Sequence, residues 1–410
     1  MPNPTYALPR GFRYAGVASG IKPDNALDLA LIFTETPAVA AAVFTQNRFA
    51  AAPVHYDRAL LERQTDRVHA VIINSGNANA VTGAEGLARA QRMAQAAERA
   101  LGLPPWSALV MSTGVIGVQL PVHRIEAAAS RLAEMLRSDS DGIEAAARAI
   151  MTTDTYPKIH AVAAPDDIQL AGICKGAGMI HPNMATMLAV IVTDAQLAPE
   201  AARLALKQAV DVSFNRISVD GDTSTNDTVA LLANGAAGGP LIEPDTSAFD
   251  GFVDALTKLS VHLAQEIVRD GEGATKFVTI RVSGLANDDD AHQVAETIAT
   301  SPLVKTAIYG GDANWGRILA AAGRSGVNFD AGEAELWISS RSPGRHAFLP
   351  ALHLVAKGEP LDYDETLAAM HFADADLLIE LHLGQGSGRA VMWTCDLSHE
   401  YVTINGEYRT

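Results

Sequence analysis

Short apolar runs bounded by Gly-, Asn- and Ser-rich segments are the sequence feature that most constrains the fold. Residues 69–73 (HAVII) stop at NSGNANA, and residues 108–111 (ALVM) run into Ser-Thr-Gly. In the opposite order, the segment from Cys174 to Thr186 leads directly into residues 187–193 (MLAVIVT). Such apolar runs are typical of strands, and dense Gly and Asn are typical of loops with unusual backbone dihedrals. The pattern predicts large sheets.

Helical periodicity alternates with these strands. The segment Gly83–Leu101 is rich in Ala, Glu and Arg, and it is followed by Gly102 and Pro104, which end a helix. Further helices are predicted at residues 122–136, 141–150 and 199–210. Strands and helices without a repeated unit of 20–50 residues indicate an α+β fold class.

Several other segments are predicted to be strands: residues 28–35, 38–45, 278–282, 306–308 and 401–405. A Thr-Pro break separates the first two, and the last alternates polar and apolar residues, which fits a strand that buries one face. Residues 377–383 and 390–394 flank the sequence GQGSG and predict a β-hairpin.

Composition excludes several classes of protein. The chain has 410 residues, which suits two or three packed units, and 48% of them are hydrophobic, which is a globular composition. The formal net charge of −16 would repel a polyanion, so we expect no nucleic-acid partner. Cys174 and Cys395 are too few for a disulfide framework and are expected to be small buried apolar side chains.

The N-terminal sequence lacks the apolar segment of a secretory signal peptide, and no apolar run approaches the roughly 20 residues of a membrane span. We therefore expect a cytoplasmic enzyme with no membrane partner. The motifs H-E-x-x-H, G-x-S-x-G and G-x-G-x-x-G are absent, and the lysine of KGAG precedes its glycines, unlike a Walker loop. We expect no metal and no bound cofactor.

Thr186 is a hydroxyl residue at the boundary between a loop and a strand. Threonine is a weak nucleophile unless a base lies within hydrogen-bond reach, and an N-terminal threonine carries its own base, its free α-amine. The α-amine has a pKa of roughly 7.7–8.0, so part of it is neutral at physiological pH. Thr186 becomes N-terminal only if the bond to Ala185 is cut. From the residues alone, capping or edging a strand is the favoured role for Thr186, and the nucleophile is one alternative among several.

The segment KGAGMIHPNMATMLAVIVTDA, residues 175–195, resembles the self-processing site of the ornithine acetyltransferase family, the bifunctional glutamate N-acetyltransferase/amino-acid acetyltransferase of arginine biosynthesis. The match is ungapped and rich in rare residues. Other segments resemble family blocks in family order: NSGNANA, STGVIG, MTTDT, VDGDTSTNDT, DGEGATK, GDANWGRI and the C-terminal CDLSHEYVTINGEYRT.

This resemblance implies a set of catalytic roles. Thr186 is the nucleophile both of cleavage after Ala185 and of acetyl transfer from N-acetylornithine to glutamate in a ping-pong reaction. Thr113 and Gly114 resemble the oxyanion-hole pair, a hydroxyl and a backbone N–H. Acetyl-CoA is a further potential co-substrate, and the residues leave its use open.

The resemblance also implies substrate contacts, which are Thr152, Lys175, Thr186, Glu272, Asn405 and Thr410. Lysine and hydroxyl groups suit the carboxylate of an N-acetylated amino acid, whereas Glu272 suits the distal ammonium of ornithine or a proton transfer. The choice of Thr152 over its neighbour Thr153 stays open. The family often ends in two hydroxyl residues after the tyrosine; here Arg409 takes the first place and Thr410 keeps the last.

The implied fold is similar to that of N-terminal-nucleophile hydrolases: an α+β layered sandwich, with sheets between helix layers and a smaller C-terminal α/β domain within roughly residues 280–395. Cleavage gives an alpha chain, residues 1–185, and a beta chain, residues 186–410, and two of each are expected to form a heterotetramer.

Two other functions remain open from the sequence. The first is an amidase or aminopeptidase of related architecture, in which water accepts the acyl group. The second is an uncleaved, non-enzymatic binding protein that keeps the same fold.

Overall fold

The computed structural model describes residues 5–181, 187–340 and 349–406. Its strands are β1 (Phe12–Val17), β2 (Leu29–Phe44), β3 (Val68–Asn77), β4 (Ala108–Val115), β5 (Lys158–Ala163), β6 (Gln169–Lys175), β7 (Leu188–Thr193), β8 (Ile217–Ser218), β9 (Thr228–Ala233), β10 (Phe277–Leu285), β11 (Glu335–Ser340), β12 (Leu352–Ala356), β13 (Glu359–Pro360), β14 (Asp376–His382) and β15 (Gly388–Cys395).

The α-helices are α1 (Ala52–Arg63), α2 (Gly83–Leu101), α3 (Val122–Glu134), α4 (Ser140–Ile150), α5 (Pro199–Asp211), α6 (Ser247–Arg269), α7 (Asp288–Ala299), α8 (Pro302–Tyr309), α9 (Trp315–Gly323), α10 (Glu365–Phe372) and α11 (His399–Gly406). The helices α2, α3, α4 and α5 occur where helical periodicity predicts them. The predicted α+β class is confirmed.

The chain forms two compact units. The first comprises Met1–Asn215 and Asp222–Ile267, and the second comprises Arg216–Gly221 and Val268–Thr410. The predicted alpha and beta chains follow a different division, at a peptide bond between Ala185 and Thr186 that lies outside the described residues, so that division stays a prediction.

The first unit is organised around β2. Its strands are ordered β4-β3-β2-β9-β7-β6-β5, with β1 also paired to β2. Residues 29–33 of β2 pair with β3, whereas residues 39–44 pair with β9. The strand therefore holds one hydrogen-bonded neighbour along its first half and another along its second half.

A bend in β2 brings the two halves of this sheet together. If β2 were straight, its pairing would place the end of β3 roughly 50 Å from the start of β9, at about 3.3 Å per residue. Nevertheless, Asn226, which lies two residues before the start of β9, donates a 2.8 Å hydrogen bond from its side-chain amide to the Ser112 carbonyl in β4. Side chains of both halves, such as Val110 and Val190, share one buried core.

Helices cover these strands. The helices α1 and α2 pack against β4, α4 packs against β1 and β2, and α5 packs against β2 and β9. Gly172 of β6 faces Leu259 and Leu263 of α6, and a Cβ at this position would lie 2.9 Å from the Leu263 Cδ1. This arrangement is the layered sandwich expected from the sequence.

The prediction of two separate strands at residues 28–35 and 38–45 is wrong, because β2 is continuous. Its register with β3 shifts between Phe33 and Ala38, so Pro37 lies where the ladder is interrupted. Its missing N–H therefore removes no ladder hydrogen bond, and the segment from Glu35 to Pro37 is exposed.

The second unit contains a sheet ordered β13-β12-β11-β14-β10-β15-β8. The predicted hairpin between β14 and β15 is wrong: β10 lies between them, parallel to β14 and antiparallel to β15. The glycines of the connection have another function. A Cβ at Gly386 or Gly388 would overlap the backbone of Leu285 or Asn287 at the end of β10.

Two further strand predictions are wrong. Residues 306–308 lie in α8, which begins with Pro302 at its first turn, a position where the missing proline N–H is not needed. Residues 401–405 lie in α11, and Val402 is 68% exposed instead of being buried on one face of a strand. Alternation over five residues did not distinguish a strand from two helical turns.

Among the described residues, we find no helix that is both long enough and apolar enough to cross a membrane.

We expect Gly16→Ala to destabilise the protein, because a Cβ at Gly16 of β1 would overlap the Ala145 carbonyl group in α4. Overpacking of this kind costs roughly 1–3 kcal/mol, which denaturant unfolding monitored by circular dichroism can measure. The control is Gly323→Ala in α9, where no heavy atom of the described residues, apart from the local helix backbone, lies within 4 Å of the added Cβ. Equal stability of the two variants would contradict this packing.

Candidate functional site

Thr113 and Gly114 lie at the end of β4. In the parallel pairing of β3 with β4, Ser75 is opposite Thr113 and Gly76 is opposite Gly114. Gly114 has φ +132°, and a Cβ there would overlap the Gly76 carbonyl carbon. Only glycine suits this conformation and this close approach of two backbones. The predicted oxyanion pair thus consists of a buried hydroxyl residue and an obligatory glycine.

Lys175, the last residue of β6, is brought to Thr113 by the fold. Its buried ammonium donates a 3.4 Å hydrogen bond to the Thr113 Oγ1. These two residues are 62 positions apart in the sequence. Two of the residues that resemblance assigns to separate roles, oxyanion stabilisation and substrate binding, therefore lie in direct contact.

Asp154 holds this cluster together. Its Oδ1 accepts hydrogen bonds from the Gly176 backbone N–H at 2.6 Å and from the Lys158 ammonium at 2.7 Å. Its Oδ2 accepts the Thr152 backbone N–H at 2.9 Å and lies 3.9 Å from the Lys175 ammonium. The carboxylate thus fixes the backbone of Thr152, a predicted substrate contact, and the backbone of Gly176, the residue that follows Lys175.

Burial alone would raise the pKa of Asp154, but the charges of Lys175 and Lys158, with hydrogen bonds from Lys158 and the Gly176 N–H, hold this pKa well below its usual range. Asp154 is therefore ionised. The Lys158 side chain is fully buried beside it, and Lys175 is nearly so. A buried ion pair needs such hydrogen bonds to offset its desolvation cost.

Lys22 adds positive charge to this region. Its ammonium donates hydrogen bonds to the carbonyls of Met151, at 2.6 Å, and Leu27, at 3.1 Å. Burial lowers the pKa of Lys22, Asp28 raises it, and Lys175 lowers it further. Three lysines, Lys22, Lys158 and Lys175, lie near two carboxylates, Asp28 and Asp154, and this excess of lysines makes this end of the first unit suitable for an anionic group such as a carboxylate.

Lys22, Asp154 and Lys158 are not among the site residues predicted from the sequence. Asp154 stands within the quoted block MTTDT, where only the threonines were considered, so a buried partner for Lys175 was available in that block. Lys22 and Lys158 carry no local signal, because only the fold places them near Lys175.

Within the second unit, Glu272 and Asn405 are brought together. The Asn405 side-chain amide, in α11, donates a 2.7 Å hydrogen bond to the Glu272 Oε2, and it also donates to the Tyr401 carbonyl. Glu272 is buried, and the following Gly273 has φ +68°, with room for no side chain beside the Tyr401 backbone N–H. These two predicted substrate contacts, 133 residues apart in the sequence, are therefore hydrogen-bonded to each other.

The remaining predicted site residues, Ala185, Thr186 and Thr410, lie outside the described residues. The roles assigned to the whole set, from Thr113 to Thr410, stay predictions. Among the described residues, no group of His, Cys, Asp or Glu side chains has the arrangement of a metal site. Cys174 and Cys395 are both free and buried, as predicted, and burial raises the pKa of each thiol.

Comparison with known proteins gives one consistent result. Residues 13–410 match the sequence model of the ArgJ family. The arginine biosynthesis bifunctional protein ArgJ of Chaetomium globosum is 51% identical over 418 aligned positions, which cover 98% of this chain and 88% of that protein. The corresponding Neurospora crassa protein is 50% identical, with 98% and 89% covered.

Two solved structures are also similar. The bifunctional protein ArgJ of Bacillus halodurans is 39% identical, with a TM-score of 0.47, over 52% of this chain and 95% of that chain. The ornithine acetyltransferase of Mycobacterium tuberculosis, solved in complex with ornithine, is 41% identical, with a TM-score of 0.42, over 44% of this chain and 96% of that chain.

The prediction of a cytoplasmic enzyme is wrong, because the relatives from Chaetomium globosum and Neurospora crassa are both named as mitochondrial proteins. An acidic surface favours solubility, and the lack of a secretory apolar segment bears only on export by the secretory route. Neither property distinguishes the cytoplasm from an organelle.

We expect Asp154→Asn to lower the free energy of unfolding by roughly 3–5 kcal/mol, because it leaves the buried ammonium groups of Lys158 and Lys175 without this carboxylate. Urea titration measures the change. The double variant Asp154→Asn/Lys158→Met should recover part of the loss. Glu200→Gln, which breaks an exposed ion pair with Arg203, should leave stability almost unchanged.

The same variant has a defined dependence on pH. The folded pKa of Asp154 lies below its unfolded value of about 3.9, so its stabilising contribution is complete above that value and is lost as the pH falls toward the folded pKa. The stability difference between the wild-type protein and Asp154→Asn should therefore shrink below about pH 4. A difference that stays constant down to pH 2 would contradict the ion pair.

Proposed function

The chain belongs to the ArgJ family, and from that membership we propose that this enzyme of arginine biosynthesis moves an acetyl group from N2-acetylornithine to glutamate through Thr186. The family resemblance predicted from the sequence is confirmed. The observation that carries the function is the identity of about half of all residues to proteins named for bifunctional roles in arginine biosynthesis, over 98% of this chain.

The chemistry begins with self-cleavage, in which the Thr186 hydroxyl attacks the Ala185 carbonyl carbon and the carbon–nitrogen bond breaks, so that an ester forms and the α-amine of Thr186 becomes free. Water then hydrolyses the ester, which leaves a carboxylate on Ala185 and restores the Thr186 hydroxyl. The free α-amine takes the proton of the Thr186 hydroxyl as its oxygen attacks the acetamide carbonyl carbon of N2-acetylornithine. The carbon–nitrogen bond breaks, the leaving amine regains a proton, and ornithine departs from an acetyl ester on Thr186. The amine of glutamate then attacks the ester, which forms N-acetylglutamate and restores the Thr186 hydroxyl.

Each attack places negative charge on the carbonyl oxygen, and the Thr113 hydroxyl with the Gly114 N–H is the proposed donor pair for it. Support comes from the Lys175 ammonium, which donates to the Thr113 Oγ1 at 3.4 Å. Because Lys175 already supplies the hydrogen of that bond, the Thr113 hydroxyl keeps its own hydrogen for the oxyanion. The positive charge of Lys175 also favours an anion nearby.

The substrate is a small amino acid derivative, and its groups suit the predicted contacts. Lys175 and Thr152 are proposed to bind the carboxylate, supported by the excess of lysines around Asp154. Glu272, Asn405 and Thr410 are proposed as further substrate contacts. Glu272 either pairs with the distal ammonium of ornithine or transfers a proton.

Three further features belong to this proposal. The reaction needs no metal or bound cofactor, because the nucleophile and its base are both on Thr186. Acetyl-CoA is a second acetyl donor, in keeping with the bifunctional names of the relatives. The alpha and beta chains that cleavage creates form a heterotetramer with two copies of each.

We expect Thr186→Ala to abolish both cleavage and acetyl transfer, because one hydroxyl group performs both attacks. Intact mass spectrometry should show a single chain of 43.1 kDa for the variant and two fragments for the wild-type protein. Thr186→Ser, which keeps the hydroxyl, should retain part of both activities. Fragments of the Thr186→Ala protein would rule out this nucleophile.

The wild-type assay distinguishes the competing functions. Turnover of N2-acetylornithine that requires glutamate supports the transferase, whereas equal turnover with water alone indicates an amidase. A single uncleaved chain without turnover indicates a binding protein. Acetyl-CoA in place of N2-acetylornithine tests the second donor.

We expect Thr113→Ala to lower kcat by about 10²–10³-fold while KM changes little, because the hydroxyl contacts an oxyanion that exists mainly in the transition state. Steady-state kinetics of the cleaved enzyme measure both constants, and Thr113→Ser should restore most of kcat. A raised KM with unchanged kcat would move Thr113 to a substrate-binding role.

A further inference from the structure

Two consecutive buried residues, Asn226 and Asp227, immediately precede β9 and have no role in the proposed chemistry. They belong to the block VDGDTSTNDT, which resembles a family segment without an assigned function. The Asn226 side chain reaches β4, which carries the predicted oxyanion donors, and the Asp227 side chain reaches Met187, the residue that follows the predicted nucleophile.

Asn226 contacts the oxyanion side of the site. Its side-chain amide donates hydrogen bonds to the Ser112 carbonyl at 2.8 Å and to the Ala78 carbonyl at 2.6 Å. Both amide hydrogens are therefore used, while its Oδ1 accepts a 2.6 Å hydrogen bond from the Thr225 hydroxyl. The Ser112 carbonyl carbon belongs to the peptide group that carries the Thr113 N–H, so Asn226 holds the backbone next to the predicted oxyanion donor.

Asp227 contacts the nucleophile side. Its Oδ1 accepts a 3.0 Å hydrogen bond from the Met187 backbone N–H. That N–H belongs to the peptide group that Met187 shares with Thr186. The Met187 carbonyl in turn accepts a 3.2 Å hydrogen bond from the Thr228 N–H, so the residue after the predicted nucleophile is held from both sides of its backbone.

We propose that Asn226 and Asp227 are positioning residues that together set the spacing between the oxyanion donors and the Thr186 nucleophile. The inference rests on the proposed function. Consecutive residues have Cα atoms about 3.8 Å apart, so the two anchored peptide groups are tied through one short piece of backbone. A misplacement of about 1 Å at such a site can cost 10²-fold in rate.

The surroundings of Asp227 favour its uncharged form. Burial raises its pKa well above the usual range, although the Met187 N–H, Lys175 and Ser224 lower it in part. Among the described residues, its buried Oδ2 has no hydrogen-bond partner, and such an environment disfavours an ionised carboxylate. An asparagine has the same shape and offers the same carbonyl acceptor to Met187.

The test compares four variants of the full chain by steady-state kinetics of acetyl transfer and by denaturing electrophoresis of the cleavage products. Asp227→Ala should lower kcat by about 10²-fold, with KM within about threefold, and should slow cleavage. Asp227→Asn should restore most of kcat, because it keeps the acceptor for the Met187 N–H.

The matched control is Asp194→Ala. Asp194 is also fully buried and accepts a 2.8 Å hydrogen bond from the Gln169 backbone N–H, but it follows the opposite end of β7. The Asp194→Ala substitution should lower the melting temperature of the protein, while kcat per folded enzyme stays near the wild-type value. Equal effects of Asp194→Ala and Asp227→Ala on kcat, or an Asp227→Asn enzyme as slow as Asp227→Ala, would overturn the proposal.

A variant of the neighbouring residue tests the proposal if Asp227→Ala does not fold. Asn226→Asp keeps the shape of the side chain and removes both amide donors, so kcat should fall while KM stays nearly constant. An unchanged kcat for Asn226→Asp would also overturn the proposal. If the wild-type protein itself shows no acetyl transfer, the proposed function fails; if it is active and the variants match it, only the positioning role fails.

Discussion

The hydrogen-bond ladders on the two halves of β2 are the constraint on which the first unit depends. One ladder pairs residues 29–33 with β3, and the other pairs residues 39–44 with β9. Between them, the register shift beside Pro37 allows the strand to bend without leaving a ladder hydrogen bond unmade. Without that bend, Thr113 at the end of β4 and Lys175 at the end of β6 would be separated by the four strands between them in the sheet.

Because of the bend, the buried lysines of the site also need a negative charge nearby. Once the strand ends meet, Lys158 and Lys175 are removed from water and need a counter-charge, which Asp154 supplies with hydrogen bonds to the backbone on both sides of it. Asp154 and Asp227 are both buried aspartates of the same unit, but their pKa values move in opposite directions. Two lysines contact or approach Asp154, whereas burial dominates at Asp227.

Resemblance in the sequence selected residues that the fold brings together, such as Thr113 with Lys175 and Glu272 with Asn405. It overlooked the residues that hold them. Asp154 lies in the segment MTTDT and Asp227 in VDGDTSTNDT. The hydroxyl residues around each aspartate were equally plausible functional residues, so the local sequence did not distinguish the aspartates. A supporting residue is recognised by the atoms it contacts, and those atoms lie on segments far away in the sequence.

The sequence by itself determined the family, the α+β class and the helices with strong periodicity, because each of these depends on residues that are close along the chain. It did not determine strand order. Residues 377–383 and 390–394 suggested a hairpin, and only the tertiary structure placed β10 between them, because glycines that permit a tight turn also permit close passage over another strand. The tertiary structure also decided the opposite directions in which the pKa values of Asp154 and Asp227 shift, since desolvation and neighbouring charge arise only when distant segments pack together.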